Sequence, residues 1–204
     1  MKYGISPPET MHQSSYDHMA DLTRRYLEVE RPLRILDVGS YDVNGSYKPL
    51  FSQPGWVYQG VDLSAGPNVD VVLQSAYRFP LPDNYADLII SGQAFEHIEY
   101  FWLTWMEMER VLKPGGMIFL IAPSRGPEHR YPVDCWRFYS DGFTALAKYG
   151  RMDLIEVSTD WEPSLSDWGD TVGVFRKPQV GIPGGIRRRI RYFISRLLTP
   201  KTQR

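Results

Sequence analysis

Two glycines six positions apart close the run Leu33-Arg34-Ile35-Leu36-Asp37-Val38-Gly39-Ser40-Tyr41-Asp42-Val43-Asn44-Gly45. Leu33, Ile35, Leu36 and Val38 suit a buried strand, while Gly39 and Gly45 permit a sharp turn and close approach of a ligand to the backbone. A strand, a glycine turn and a short helix begin a nucleotide-binding βαβ unit. A plain structural turn is the competing reading. Trp56 to Asp62 reads as a second strand ending in a carboxylate 25 positions after Asp37, close to the roughly 20-residue offset of a ribose-binding acid. Asp62 would accept from both ribose hydroxyls; a turn-capping aspartate is the alternative. Farther on, Pro127 to Tyr139 mixes Glu128, His129, Arg130, Asp134 and Arg137 with Tyr131, Trp136 and Phe138. That composition suits a polar ligand. A braced surface loop, with Asp134 pairing Arg137, explains it equally.

The surrounding pattern predicts elements able to position these groups. Tyr16 to Leu27 carries apolar residues at 19, 22, 26 and 27, a helical face expected to pack on a sheet, and Arg31-Pro32 ends it. Val69 to Leu73 is a third short strand, and Tyr85 to Ser91, with its apolar centre Leu88-Ile89-Ile90, a fourth of the buried parallel type. A helix is expected over Glu96 to Leu112, stopped by Lys113-Pro114-Gly115-Gly116, which combine a basic C-terminal turn with residues that cannot continue a helix. Met117 to Ile121 is the fifth strand. Ser140-Asp141 is expected to cap a helix running to about Tyr149, and Leu154 to Thr159 and Thr171 to Phe175 are the last strands. Strands alternating with helices imply an α/β, doubly wound, mainly parallel sheet covered on both faces. In such sheets ligands sit at the carboxyl ends of the strands. Asp37, Gly39, Asp62, Ser91 and Pro123 all fall there.

With 204 residues, 43% apolar, the chain is sized for one core and a short appendage. It is divided as a domain over 1–182 with an N-terminal helical arm, and a tail over 183–204. Cys135 is the sole cysteine, so an intrachain disulfide is excluded. No apolar run of signal-peptide or membrane-spanning type is read in the sequence, and the expectation is a cytoplasmic protein. The near-zero net charge of −1 hides an asymmetry: from Arg187 onward there are seven basic residues and no acid. The body is acidic and the tail basic.

Ile35-Leu36-Asp37-Val38-Gly39, Gly60-Val61-Asp62, Phe79-Pro80-Leu81-Pro82-Asp83-Asn84-Tyr85-Ala86-Asp87, Phe95-Glu96-His97-Ile98 and Arg110-Val111-Leu112-Lys113-Pro114-Gly115-Gly116 together resemble the class I S-adenosylmethionine-dependent methyltransferases, of the type 11 kind. The resemblance covers about residues 34 to 124, in the family's order. It implies a Rossmann-like seven-stranded sheet and S-adenosyl-L-methionine as cofactor. It places Asp37 and Gly39 at the methionine portion, Asp62 and the neighbouring Leu63 at the ribose, Ser75, Ala76 and Tyr77 at the adenine edge, and Ser91 and Gln93 on the sulfonium side. The usual D-x-G-x-G-x-G spacing is replaced by Gly39 and a displaced Gly45. Ser40 and the amides near Asn44 and Gly45 remain able to hold the donor's carboxylate.

Methyl transfer is an in-line displacement at a sulfonium, so the protein must align donor and acceptor and, for a hydroxyl, help remove a proton. His97 follows the fourth strand, where the transferred methyl would lie; His129 and Asp134 complete the catalytic candidates, and Tyr131, Trp136 and Arg137 those for acceptor binding. A structural histidine at 97 is the rival reading, and Glu96 is read as donor-side or loop-bracing. Cys135 is not needed as a nucleophile, because transfer is direct. Ubiquinone-pathway O-methyltransferases resemble this segment but place an acid where Gln93 stands, assisting a divalent metal; no metal is expected here. The 127–139 loop resembles the acceptor-side loop of methyltransferases of sugar and surface-polysaccharide biosynthesis, through Pro132, Asp134, Trp136, Arg137 and Phe138. Ser91-Gly92-Gln93-Ala94 departs from the Asn/Asp-Pro-Pro-Tyr of enzymes that methylate amino groups of bases.

The implied function is O-methylation of a small-molecule or glycan hydroxyl. The alternatives are methylation of a lipid or quinone precursor at a membrane, and a non-catalytic donor-binding scaffold. In the tail, Ile186, Ile190, Phe193, Ile194 and Leu197 share a helical face among arginines. Such a helix over 186–198 suits peripheral contact with an anionic membrane, gaining on the order of 1 kcal/mol per nearby arginine. Packing on the body or on a second copy in a homodimer is the other expectation. No nucleic-acid partner is expected of an acidic body.

Overall fold

A computed structural model describes residues 13–43, 45–161 and 168–179, with Ile190, Phe193, Ile194 and Leu197. The first residues of the N-terminal arm, Asn44 and most of the basic tail lie outside the described residues. Seven strands form one sheet: β1 (Leu33–Val38), β2 (Trp56–Asp62), β3 (Val71–Val72), β4 (Ala86–Gly92), β5 (Leu112–Arg125), β6 (Asp153–Thr159) and β7 (Gly169–Arg176). Their order is β3-β2-β1-β4-β5-β7-β6. The first five strands pair in parallel, and β7 runs antiparallel to both β5 and β6. The expected mainly parallel, seven-stranded Rossmann-like sheet is the observed one.

Alternation along the strands builds a core on each face. Leu33, Ile35, Leu88, Ile90, Phe119, Ile121, Val172 and Val174 point to one side, where Met19 and Leu22 of α1 (Gln13–Tyr26) cover them. Leu36, Val38, Ile89, Ile118, Leu120 and Phe175 point to the other, against Trp105 and Met108 of α2 (Phe101–Val111) and Phe143, Leu146 and Ala147 of α3 (Ser140–Gly150). Arg25 grips the Glu156 carboxylate with both terminal nitrogens, at 2.7 and 2.9 Å, and Tyr26 adds a third bond, tying the end of α1 to β6.

Three local expectations are corrected. The helix expected from Glu96 starts only at Phe101; Phe95–His97 form a 3-10 turn and Ile98 is extended. Phe95 is fully buried and touches both Phe101 and Phe138 at 6.3 Å between ring centres. Six residues along one helix would set Phe95 and Phe101 about 120° apart around its axis, so a continuous helix would turn the two rings away from each other. Second, Ser140 is the first residue of α3 and not its cap; its hydroxyl shares a hydrogen with that of Thr159 at 2.8 Å. Third, among the described residues the only helical turn between β1 and β2 is a 3-10 turn at Lys48–Phe51. Pro49 and the preceding polar turn residues shorten it.

Candidate active site

The strand order reverses between β1 and β4, and the chain segments leaving those strands bound a crevice. Gly39 leaves β1 at φ +82°, and a Cβ there would fall 2.4 Å from the Ala94 Cβ beyond β4. Only glycine satisfies both demands. The next residue, Ser40, donates its hydroxyl to the Asn68 carbonyl at 3.0 Å, and Asn68 returns a bond to the Ser40 carbonyl at 3.1 Å. Asp62 ends β2 with one carboxylate oxygen accepting from the Tyr41 N–H at 3.2 Å and the other from the Ser64 N–H at 2.8 Å. Both oxygens are thereby aimed and keep further lone pairs for donors.

Asp37 is buried beneath this loop and accepts the Tyr58 hydroxyl. Burial pushes its carboxyl up to about 7, against the opposing pull of that bond. A raised carboxyl pKa means that the folded state holds the proton more tightly than the unfolded chain, so stability falls as pH rises from about 4 through about 7. Asp37→Asn is therefore expected to raise the melting temperature of ligand-free protein at pH 8 and to leave it unchanged at pH 4. Thermal melts at the two pH values check this; equal shifts at both would refute it.

The other half of the candidate site is assembled from the loops that follow β4 and β5. The Cys135 N–H bonds to the Glu96 carbonyl at 2.7 Å, and the Phe138 N–H to the Pro123 carbonyl at 2.8 Å, drawing residues 127–139 across the 3-10 turn. His97 and His129 meet edge to face at 4.8 Å between ring centres, and Glu96 Oε1 lies 3.5 Å from His97 Nε2 and 3.8 Å from His129 Nε2. Glu96 is fully buried, with neither carboxyl oxygen hydrogen-bonded to another residue. Burial pushes it up to about 8, against the pull of its own backbone N–H and the Arg137 charge. Burial likewise lowers His97, whose Nδ1 bonds to the Val133 carbonyl at 2.6 Å. Tyr131 and Trp168 border the two imidazoles.

Residues 36–120 match the methyltransferase domain family. Over those residues the chain is similar to the class I S-adenosylmethionine-dependent methyltransferases. It is 27% identical over 140 residues to the ubiquinone/menaquinone biosynthesis C-methyltransferase UbiE of Pseudoalteromonas translucida, an alignment covering 61% of this chain and 55% of that one. It is 33% identical over 147 residues to an uncharacterized methyltransferase of Mycobacterium leprae, covering 64% and 52%. The chain thus spans about half the length of the curated relatives it matches. Its fold is shared with a phosphoethanolamine N-methyltransferase of Haemonchus contortus solved with S-adenosyl-L-methionine, at a TM-score of 0.60 and 16% identity over 80% of this chain and 52% of the other.

The residues present fit the methyltransferase cofactor. Gly39 and Gly60 leave the backbone open, a Cβ at Gly60 falling 2.0 Å from the Asn68 carbonyl oxygen, and acceptor-only Asp62 matches a ribose diol. Leu63 is exposed beside it. Ser75, Ala76 and Tyr77 lie on the segment before β4, fixed by Thr104 of α2 bonding to the Ala76 carbonyl at 3.0 Å and by Tyr77 packing on Tyr100. Other candidates are already engaged. Gly45 N–H bonds to Asp42 at 2.7 Å, Ser91 donates to the Val38 carbonyl at 2.7 Å, and the Gln93 amide bonds to Asp170 at 2.7 Å and Ser15 at 3.2 Å. Trp136 donates to the Ile98 carbonyl at 3.1 Å. Arg137 clamps Asp134 at 2.6 and 2.9 Å, holding that carboxyl down to about 2. Sequence reasoning missed the central position of Glu96, whose adjacency to His97 was the available signal, and missed Trp168, for which there was none.

Proposed function

We propose that this chain transfers a methyl group from S-adenosylmethionine to a hydroxyl oxygen of a small-molecule or glycan acceptor. The acceptor oxygen attacks the methyl carbon in line, the carbon–sulfur bond breaks, and the sulfonium leaves as the neutral thioether of S-adenosylhomocysteine. The acceptor's proton passes to the Glu96, His97 and His129 cluster, which carries this reading. An imidazole held neutral by burial is a suitable proton acceptor. Asp134 is a positioning residue: its Oδ2 receives the His129 backbone N–H at 2.8 Å and lies 3.4 Å from His129 Nδ1. Exposed Tyr131 and Trp136 offer aromatic faces for a sugar or phenol.

The likeness to UbiE supports a second reading, methylation of a quinone precursor at carbon, which also calls for removal of a phenolic proton. Ile190, Phe193, Ile194 and Leu197 are helical and exposed and suit a peripheral role of the basic tail at an anionic membrane. Among the described residues no helix is long and apolar enough to cross one. Incubation of the purified chain with S-adenosylmethionine and panels of sugars and hydroquinones, followed by S-adenosylhomocysteine release and product NMR, tests both. A new methoxy signal is the expected result; a ring-carbon methyl supports the second reading. Donor binding with no turnover on any panel would favour a scaffold.

A further inference from the structure

We propose that Glu96, His97 and His129 form a binding site for a divalent transition-metal ion of the zinc type, open toward the 127–139 loop. One ligand atom from each residue lies within 4.8 Å of the other two, and the Glu96 oxygen stands 3.5 and 3.8 Å from the two Nε2 atoms. Zinc with ligands at about 2.1 Å sets neighbouring ligand atoms roughly 3.4 Å apart in a tetrahedron. Small side-chain rotations therefore close the site.

Three independent features point to an ion. Glu96 is fully buried with neither carboxyl oxygen hydrogen-bonded to another residue, an arrangement that native interiors rarely leave uncompensated. The His97 Nδ1 faces a carbonyl, which only accepts, so Nδ1 carries the proton and Nε2 presents its lone pair to Glu96. The His129 Nδ1 lies 3.4 Å from Asp134, itself clamped as a carboxylate by Arg137. The His129 Nδ1 makes no hydrogen bond, so its ring is not committed to another partner, and the carbonyl behind His97 is the outer arrangement that orients a metal-ligating imidazole.

Two imidazoles and one carboxylate favour zinc, cobalt or iron over magnesium, which prefers oxygen ligands. The sequence argument against a metal rested on Gln93. In the structure Gln93 turns to Asp170 and Ser15, and His129, from a loop 32 positions beyond His97, supplies the third ligand. With the ion bound, the imidazole nitrogens are its ligands and no longer take the proton themselves; an ion with open positions would instead hold an acceptor hydroxyl and ease its proton loss. That role rests on the methyl-transfer reading; the ion site itself does not.

The test uses the full chain, stripped with a chelator and dialysed against Zn²⁺ or Co²⁺, read by elemental analysis and by cobalt visible absorption, with S-adenosylmethionine titrated in parallel. One ion per chain is expected. Glu96→Gln and His129→Ala should each weaken ion binding at least tenfold, with the circular dichroism spectrum and donor affinity retained. A chain that binds donor but takes up no stoichiometric ion overturns the proposal and leaves the methyltransferase reading standing, as do variants that bind the ion like the parent. Ion uptake without donor binding keeps the ion site and removes the methyltransferase reading.

Discussion

Asp62→Ala is expected to weaken S-adenosylmethionine binding roughly a hundredfold. Two charge-assisted hydrogen bonds to the ribose, at about 1.5 kcal/mol each, amount to about 3 kcal/mol, and each 1.4 kcal/mol is tenfold in affinity. The substitution also releases the Tyr41 and Ser64 amides that Asp62 now receives, loosening the turn that carries Ser40. Asp62→Asn separates these effects, since its single amide oxygen retains part of the acceptor capacity and should give an intermediate loss. Calorimetric titration with S-adenosylmethionine and S-adenosylhomocysteine measures both. Unchanged affinity in Asp62→Ala would remove the donor from this crevice.

His129→Ala is expected to lower turnover by about 10²- to 10⁴-fold, the usual contribution of a positioned proton acceptor, while donor affinity stays within a few-fold of the parent. His129 is carried by the loop after β5, whereas Asp62 and Gly39 end β2 and follow β1, so the loss should fall on kcat. Asp134→Asn should cost less, because it disturbs only the orientation of His129. The Asp134–Arg137 clamp persists far into acid: a carboxyl lowered to about 2 keeps its charge, and the stability that comes with it, above the unfolded pKa of about 3.9 and loses both as pH falls through about 2. Any loss of turnover between pH 8 and pH 5 therefore belongs to other groups. Equal kcat in the parent and His129→Ala, measured with a saturating acceptor, would end the proton-acceptor role.

The strands were legible wherever burial on both faces writes a continuous apolar run, as in Leu88-Ile89-Ile90 and Ile118-Phe119-Leu120-Ile121. The crevice was legible for the same reason, since glycines and an aspartate stand at the ends of those runs. The start of α2 was misplaced because periodicity alone cannot tell that Phe95 and Phe101 pack against each other. The helix expected after Gly39 is reduced to Lys48–Phe51, although nothing in Asp42 to Ser46 favours helix. Least legible was the meeting of Glu96 with His129. It depends on backbone bonds between loops, Cys135 to Glu96 and Phe138 to Pro123, and main-chain atoms leave no trace in residue type. Asp134 with Arg137 was foreseen as a pair, but not as the support beneath an imidazole.

That lacing of the 127–139 loop by its main chain bears on how such a protein could change over generations. The path of the loop is fixed by the amides of Cys135 and Phe138 and by the Asp134–Arg137 clamp. Tyr131 projects from it, more than half exposed, and the Glu128–Arg130 pair lies outward in the solvent. Substitution at those outward positions alters what an incoming molecule meets without unpicking the loop itself. Selectivity can drift by single replacements while the crevice, the imidazoles and the sheet beneath them keep their shape.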